Sequence, residues 1–118
     1  ADETAWQPFD RREIARLVAG NKTVLVDVTA DWCLTCKVNK SLVLETGAIS
    51  GLIMAGDVVA MRADWTAPDP KIADYLASFG RYGIPFNAVY GPGAPGGIAL
   101  PELLSLEAVQ SAIRQAGG

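Results

Sequence analysis

The 118-residue chain contains no histidine, and its only cysteines are Cys33 and Cys36. The absence of histidine excludes a Ser-His or Cys-His nucleophile pair and an imidazole metal ligand. Two cysteines cannot complete a four-ligand structural zinc site. The residue after the second cysteine is Lys37, so the haem-attachment pattern Cys-x-x-Cys-His is also excluded. A structural disulfide, a redox-active dithiol and a soft-metal site remain as interpretations of the pair.

The chain also lacks a long apolar run and a basic segment. No stretch approaches the ~20 apolar residues that span a bilayer, and the net charge of -3 argues against nucleic acid as a partner. Residues 1–4 are polar and do not resemble a signal peptide, so we expect either a mature terminus or a piece of a longer protein. The length fits one domain, which we place at residues 9–118 after an N-terminal extension at 1–8.

Helix-like and strand-like patterns alternate along the chain. Short β-branched apolar runs predict strands, and apolar residues spaced by three or four predict helices. Helices are predicted from Asp10 to Gly20, over 33–44, over 69–79 and from Ser105 to Gln115, and residues 46–54 either continue the second of these or form a separate helix. Strands are predicted over 23–29, 58–63, 86–90 and 98–100. A Gly- and Pro-rich turn at 91–97 precedes the last strand. This alternation predicts an α/β fold with a central sheet flanked by helices, in which the first two strands are parallel.

The two cysteines lie where the strand over 23–29 passes into a helix. Open α/β sheets place their sites at this carboxyl end of a strand, and the start of a helix favours a thiolate. A disulfide that closes so short a loop removes little entropy from the unfolded chain. We therefore favour redox chemistry over a structural bridge. Within the helix, Val38 and Leu42, with Leu34 as a further candidate, are predicted to face inward.

Asp27 interrupts the otherwise apolar strand that precedes the cysteines. A buried carboxylate is costly unless it is paired or protonated. The position of Asp27 in the middle of the strand predicts that this side chain is buried. An aspartate that faces solvent at the end of the strand is the alternative.

Several segments resemble the thioredoxin superfamily. Residues 26–37, Val-Asp-Val-Thr-Ala-Asp-Trp-Cys-Leu-Thr-Cys-Lys, resemble its active-site segment, and Ile84–Pro85 resembles its cis-proline turn. Ala-Asp-Trp-Thr at 63–66 and Phe-Gly-Arg-Tyr-Gly-Ile-Pro at 79–85 are similar to the C-terminal domain of the thiol:disulfide interchange protein DsbD. Residues 86–101 are similar to the copper-sensitivity-suppressor (ScsB-like) branch of that family.

The resemblance spans about residues 9–116 and implies a thioredoxin-like fold, with a mixed central sheet and the dithiol at the N-terminus of the helix after a central strand. It implies that Cys33 is the nucleophile and that Cys36 resolves the mixed disulfide. Asp27 would match the family's buried acid, which exchanges a proton with the second cysteine. The redox-active disulfide would then be the reactive group, with no separate cofactor and no metal.

The resemblance also implies a docking surface beside the dithiol. Ile84, before a cis Pro85, would offer backbone groups to an extended partner segment, whereas an ordinary trans proline is the alternative. Trp32 and Tyr82 are candidates for an apolar rim, with half-buried core positions as the alternative. Phe86 stands where thioredoxins usually have Thr, so it would alter the docking surface.

Two lysines are candidates for tuning the site. Lys37 follows the second cysteine, as is common in the superfamily, and a solvated helix lysine is the simpler interpretation of it. Lys40 stands where the DsbD branch often carries an acidic residue, and a positive charge near the site lowers thiol pKa values. Leu34 and Thr35 replace the Gly-Pro of thioredoxin, so the reduction potential cannot be copied from that protein.

By resemblance, the chain is a protein-disulfide reductase on the periplasmic side, tethered to the inner membrane in the full-length protein. It would relay electrons from a transmembrane electron-donor domain of the same protein to periplasmic thiol-disulfide proteins, and the isolated domain is expected to be a monomer. A net thiol oxidase or isomerase uses the same chemistry, and ~30 mV shifts the two-electron equilibrium about tenfold. A Cu(I)-binding module is the alternative of another class, because two thiolates suit Cu(I).

Overall fold

The computed structural model describes residues 5–117. In this part of the chain, five strands form one sheet, and no helix is both long enough and apolar enough to cross a membrane. The strands are β1 (Trp6–Pro8), β2 (Thr23–Thr29), β3 (Val58–Asp64), β4 (Phe86–Gly91) and β5 (Ala94–Ala99). The helices are α1 (Arg11–Ala19), α2 (Leu34–Asn39), α3 (Gly47–Met54), α4 (Pro70–Ala77) and α5 (Leu106–Gly117), and a π-helical turn, Lys40–Leu44, continues α2.

The sheet is mixed, with the strand order β1-β3-β2-β4-β5. Strands β1, β3 and β2 are parallel, whereas β4 runs antiparallel to β2 and β5 antiparallel to β4. The predicted α/β fold is therefore confirmed, and so is the parallel pair β2 and β3. The expected N-terminal extension is corrected in part, because Trp6–Pro8 pairs with Ala60–Arg62 and belongs to the sheet. Residues 1–4 of that extension lie outside the described part of the chain.

Side chains alternate between two faces of the sheet, and different helices cover each face. Helices α3 and α5 and the π-helical turn pack on one face, which we call the dithiol face, and helices α1 and α4 pack on the other, which we call the aromatic face. The dithiol face of the three central strands carries Leu25, Asp27, Ala60, Arg62, Asn87 and Val89. The aromatic face of the same strands carries Val24, Val26, Val28, Met61, Ala63, Phe86, Ala88 and Tyr90.

Side-chain caps fix the beginnings of the two helices on the aromatic face. The Asp10 carboxylate accepts a hydrogen bond of 2.9 Å from the backbone N–H of Arg12, which satisfies one free donor at the start of α1. Asp69 does the same for the backbone N–H of Lys71 in α4, whose first residue is Pro70. Both helices therefore begin where the sequence predicts.

The last strand begins earlier than the sequence predicts. The sequence predicts a turn over 91–97 and a strand over 98–100, whereas β5 begins at Ala94 and ends at Ala99. Glycine and proline weaken strand interiors, but an edge strand tolerates them, and β5 is the edge strand beside β4. The pairing with β4 therefore outweighs the local composition.

The buried side of the dithiol helix is also different from the prediction. Leu34, Val38 and Leu42 are exposed. The buried side chains of this segment are Cys36, Asn39, Val43 and Leu44. Because Cys36 faces the sheet, residues two positions to either side are turned roughly 200° away from it. The apolar spacing thus marks the solvent side of this helix.

Candidate active site

The two cysteines form a disulfide at the beginning of α2, with their Cα atoms 5.3 Å apart. Cys33 is the N-cap residue of the helix, and its Sγ accepts a hydrogen bond of 3.2 Å from the backbone N–H of Cys36. Both residues are buried, Cys33 at 6 % exposure and Cys36 at 3 %. The Sγ of Cys36 lies 4.0 Å from the carbonyl oxygen of Val28 in β2. The disulfide thus lies against the carboxyl end of a central strand.

Thr66, in the loop after β3, holds the segment that leads into the disulfide. The backbone N–H of Asp31 donates to Thr66 Oγ1 at 2.9 Å, and Trp32 Nε1 donates to the Thr66 carbonyl oxygen at 3.2 Å. The Thr66 hydroxyl in turn donates to Asp64 Oδ1 at 2.5 Å. The Thr66 hydroxyl and the Thr66 backbone N–H, which also donates to Asp64 Oδ1 at 2.9 Å, hold the pKa of the exposed Asp64 carboxyl below its usual value. The segment 63–66 therefore positions the dithiol loop.

The Ile84–Pro85 peptide bond is cis, and the turn that contains it lies beside the disulfide. The half-buried Ile84 packs against the small buried cluster of Ala30, Cys33 and Cys36. Pro85 itself is buried, directly before β4. The structure thus brings together two segments that are about fifty positions apart in the sequence.

Exposed aromatic and aliphatic side chains lie next to the cysteines and next to the cis-proline turn in the sequence. Trp32 is 61 % exposed, Leu34 76 % and Tyr82 82 %, so neither aromatic residue is a core position. Phe86, in contrast, is 1 % exposed and packs in the aromatic face. Its assignment to the docking surface is therefore wrong. Phe86 pairs with Val28 across the sheet, and the alternation of β4 turns its ring away from the dithiol face.

Asp27 is 3 % exposed and lies in a row of polar side chains that crosses three neighbouring strands. Its Oδ1 accepts a hydrogen bond of 2.9 Å from Asn87 Nδ2, and its Oδ2 accepts one of 3.2 Å from Arg62 Nε. Burial raises the pKa of Asp27 above its usual value, and the Arg62 charge, the Asn87 hydrogen bond and the more distant Lys40 charge oppose this effect. The Arg62 guanidinium also stacks over the ring of Trp6, 4.1 Å from its centroid.

The two lysines proposed to tune the site occupy different environments. Lys37 is exposed on α2. Lys40 lies at the start of the π-helical turn, with its Nζ 3.8 Å from a carboxylate oxygen of Glu45, and it acts on the Asp27 carboxyl through its charge. Its influence on the thiols stays a prediction.

Sequence reasoning did not identify three polar residues of this region. Arg62 and Asn87 contact Asp27 only because the strand register places them beside it. Asn39 is buried, donates from Nδ2 to the Glu102 carbonyl oxygen at 2.7 Å and accepts at Oδ1 from the Leu104 N–H at 3.0 Å. It thereby ties α2 to the loop before α5. Polar residues inside apolar runs are the signal that could have marked Arg62 and Asn87.

Chemically, the arrangement can exchange a disulfide with external thiols. It contains a buried disulfide, a backbone donor on Cys33 Sγ and a buried carboxyl on the adjacent strand. Within residues 5–117, histidine, cysteine, aspartate and glutamate side chains do not gather in a group of three or more that could hold a metal ion.

Comparisons with solved structures find the same fold. The reduced C-terminal domain of DsbD from Neisseria meningitidis superposes with a TM-score of 0.67 at 20 % identity, covering 90 % of this chain and 92 % of that chain. The oxidised form of that domain gives 0.69 at 19 % identity, covering 93 % and 98 %. A thioredoxin from Thermus thermophilus gives 0.66 at 18 % identity, covering 94 % and 86 %.

The comparison with family models identifies the family. No curated protein matches the sequence. A family model described as thioredoxin-like matches residues 5–92, which include β1, the dithiol and the cis-proline turn. The chain therefore belongs to the thioredoxin-like family.

Proposed function

We propose that the chain is a thiol-disulfide oxidoreductase that acts as a reductase and electron relay. One observation carries the proposal: the Cys33–Cys36 disulfide lies at the beginning of α2 and packs against the Ile84–Pro85 turn. A disulfide that only braces the fold has no need of a partner surface. Here exposed Trp32 precedes Cys33 and exposed Leu34 lies between the two cysteines, which suits exchange with another protein.

The exchange has two steps in the reductase direction. The Cys33 thiolate attacks a partner disulfide, forms a mixed disulfide and releases one partner thiolate. The Cys36 thiol loses its proton to Asp27, and its thiolate then attacks Cys33 Sγ and releases the second partner thiolate. Two electrons have passed to the partner, and the Cys33–Cys36 disulfide is restored. A dithiol donor must then reduce this disulfide before the next cycle.

The donor and acceptors follow from the similarity to the C-terminal domain of DsbD. Segments 63–66 and 79–85 support this branch, and 86–101 supports its copper-sensitivity-suppressor relatives. We therefore place the chain on the periplasmic side, tethered to the inner membrane in the full-length protein. Its donor would be a transmembrane electron-carrier domain, and its acceptors periplasmic thiol-disulfide proteins. Ile84 before the proline favours the reductase direction, by resemblance to reducing members.

Docking would use the surface around Trp32, Leu34, Tyr82 and Ile84. The first three side chains are exposed, and Ile84 contacts the disulfide cluster. An extended partner segment beside the Ile84–Pro85 turn could pair with backbone groups there, while the apolar side chains contact its flanks.

Trapping the mixed disulfide tests the proposed function. A Cys36→Ala variant, reduced and mixed with periplasmic extract, should accumulate covalent adducts through Cys33 that dissociate on reduction. A Cys33→Ala variant is the matched control and should yield none. Equal trapping by both variants would overturn the assigned roles.

The reduction potential tests the direction of electron flow. Equilibrating the dithiol with glutathione buffers of known ratio gives the potential from the fraction of oxidised protein. A reductase is expected near the potential of thioredoxin, at roughly -270 mV, and an oxidase near -120 mV. A value at the oxidising end would contradict the reductase proposal while leaving the exchange chemistry intact.

A further inference from the structure

Asn87 is a buried amide in β4, whose other residues are Phe86, Ala88, Val89, Tyr90 and Gly91. All six residues of β4 are buried, and Asn87 is 1 % exposed between β2 and β5. Asparagine is depleted from strands, and a buried amide is costly unless it is hydrogen-bonded. Its presence in the centre of the sheet therefore needs a specific partner.

The partner of the Asn87 amide is the carboxyl of Asp27. Asn87 Nδ2 donates to Asp27 Oδ1 at 2.9 Å and makes a longer contact of 3.4 Å to the Val26 carbonyl oxygen. Its Oδ1 is buried and has no hydrogen-bond partner among residues 5–117. The opposite orientation of the amide would turn this oxygen against a carboxylate oxygen, which is repulsive unless Asp27 is protonated. The observed orientation therefore stabilises the ionised form of Asp27 and leaves the Asn87 amide oxygen without a hydrogen bond among residues 5–117.

The groups around Asp27 leave the carboxylate able to take a proton. Arg62 reaches it from β3, Asn87 from β4, and Lys40 acts on it from the π-helical turn. The two hydrogen bonds occupy two of about four acceptor positions of a carboxylate. Asp27 faces the layer that carries α2, and Cys36 Sγ lies against the next residue of the strand. Cys36 therefore contacts β2 one residue away from Asp27.

We propose that Asn87 is a positioning residue of the exchange reaction: its amide, opposite the Arg62 guanidinium, stabilises the carboxylate form of Asp27 that accepts the Cys36 proton. The inference rests on the proposed function and concerns its second step. In that step the proton moves from Cys36 to Asp27, the Cys36–Cys33 bond forms, and the bond from Cys33 to the partner sulfur breaks. Burial raises the pKa of Asp27, and without the Asn87 amide only Arg62 and Lys40 would oppose that rise.

A stopped-flow experiment separates the two steps when the symmetrical disulfide of thionitrobenzoate serves as the partner disulfide. Reduced protein should release one coloured thiolate in a phase that depends on reagent concentration, when Cys33 attacks. It should release the second in a phase independent of concentration, when Cys36 attacks. The pH dependence of the second phase reports on the proton acceptor.

Asn87→Leu removes the amide while keeping the number and branching of the side-chain heavy atoms, and it is the test variant. We expect the acid limb of the second phase to move to higher pH and the rate at about pH 6 to fall about tenfold, as expected for losing a hydrogen bond to a charged group. The first phase should keep its rate. Val89→Ala, on the same strand and face, is the control for general loosening and should leave the limb in place.

A second background shows whether Asn87 acts through Asp27. In Asp27→Asn, the further change Asn87→Leu should not move the acid limb. The same shift in both backgrounds, or no shift in the native one, would overturn the inference. If Asn87→Leu does not fold, Asn87→Ala serves instead, and carbon NMR of the Asp27 carboxyl should show a higher pKa than in the native protein. A native protein without a first phase would overturn the proposed function as well.

Discussion

The two faces of the sheet differ in what they bury. On the aromatic face, Tyr75 lies at the centre of a group of rings, with centroid distances of 4.6 Å to Phe9, 5.5 Å to Phe79 and 5.7 Å to Phe86. Its hydroxyl shares a hydrogen bond of 2.5 Å with that of Tyr90. This face buries large apolar area, and its polar tips are paired with each other.

The dithiol face instead buries a charged and amide row in its centre. Arg62, Asp27 and Asn87 lie side by side on β3, β2 and β4, below the layer that carries the disulfide. Burying such groups opposes folding unless they pair, whereas rings stabilise by area alone. Both faces bury apolar side chains that stabilise the fold, but only the dithiol face also carries the polar row that would serve the proposed exchange chemistry. Substitutions should therefore separate the two properties.

The largest expected effect is on the aromatic face. Phe86→Ala should lower the free energy of unfolding by about 3–5 kcal/mol, because it removes a fully buried ring and leaves a cavity. Urea unfolding followed by tryptophan fluorescence measures the change. Tyr82→Ala is the matched control on the other side of the cis-proline turn, and at 82 % exposure it should change stability by less than about 0.5 kcal/mol. Similar small changes for both would place Phe86 on the surface after all.

The next effect concerns the edge of the dithiol face. Trp6→Ala should lower the free energy of unfolding by about 3 kcal/mol, because Trp6 is 8 % exposed and covers the Arg62 guanidinium. Trp6→Phe keeps an aromatic ring over the cation and should lose less than half as much. Urea unfolding of the three proteins gives the comparison. A neutral Trp6→Ala would contradict the burial of the Trp6 ring and its contact with Arg62.

The fold was largely predictable from the sequence because its signals are local. The caps Asp10 and Asp69 and the apolar run of β2 occur within single segments, and each element forms where predicted. Strands β1 and β5 were missed or shortened, because a three-residue strand has no measurable period and Ala94–Ala99 is rich in glycine and proline. Pairing with a neighbouring strand determines both, and a single sequence does not display such pairing.

The site was predictable only where the residues are adjacent in the sequence. Cys33 and Cys36 form the expected disulfide, whereas Arg62 and Asn87 reach Asp27 through strand register. The exposed Leu34 was misassigned because exposed apolar residues of a helix can have the same spacing as core residues. Periodicity reports which residues avoid water, and it does not tell whether the fold or another protein covers them.

Substitution of two glycines should change the free energy of unfolding by smaller amounts and in opposite directions. Gly91 lies where β4 meets α5, and a Cβ there would be 2.3 Å from the Ala116 carbonyl oxygen. Gly91→Ala should therefore lower the free energy of unfolding by about 1–3 kcal/mol. Gly51 lies inside α3 with nothing within 4 Å of such a Cβ, so Gly51→Ala should raise it by about 0.5–1 kcal/mol. Thermal unfolding of both variants checks the signs, and the same sign for both would contradict this packing.

The last effect is a dependence of stability on pH that belongs to the dithiol face. Burial raises the pKa of Asp27 in the folded protein, so the folded state holds this proton more tightly than the unfolded state. The contribution of Asp27 to stability is therefore complete below its usual pKa of 3.8 and is lost as pH rises through the raised value. The pKa values of Tyr75 and Tyr90 on the aromatic face are raised as well, but their usual value is already 10.0.

Asp27→Asn isolates the contribution of Asp27 protonation to stability, because the asparagine side chain is neutral at every pH. The free energy of unfolding of the native protein, minus that of Asp27→Asn, should fall as pH rises from about 4 to about 8. One proton limits the slope to about 1.4 kcal/mol per pH unit. Tyr75→Phe should lose about 1 kcal/mol for its hydrogen bond without changing the slope over that range. If the difference between the native protein and Asp27→Asn rose with pH, the carboxylate would be stabilised by folding, and the paired donors Arg62 and Asn87 would outweigh burial.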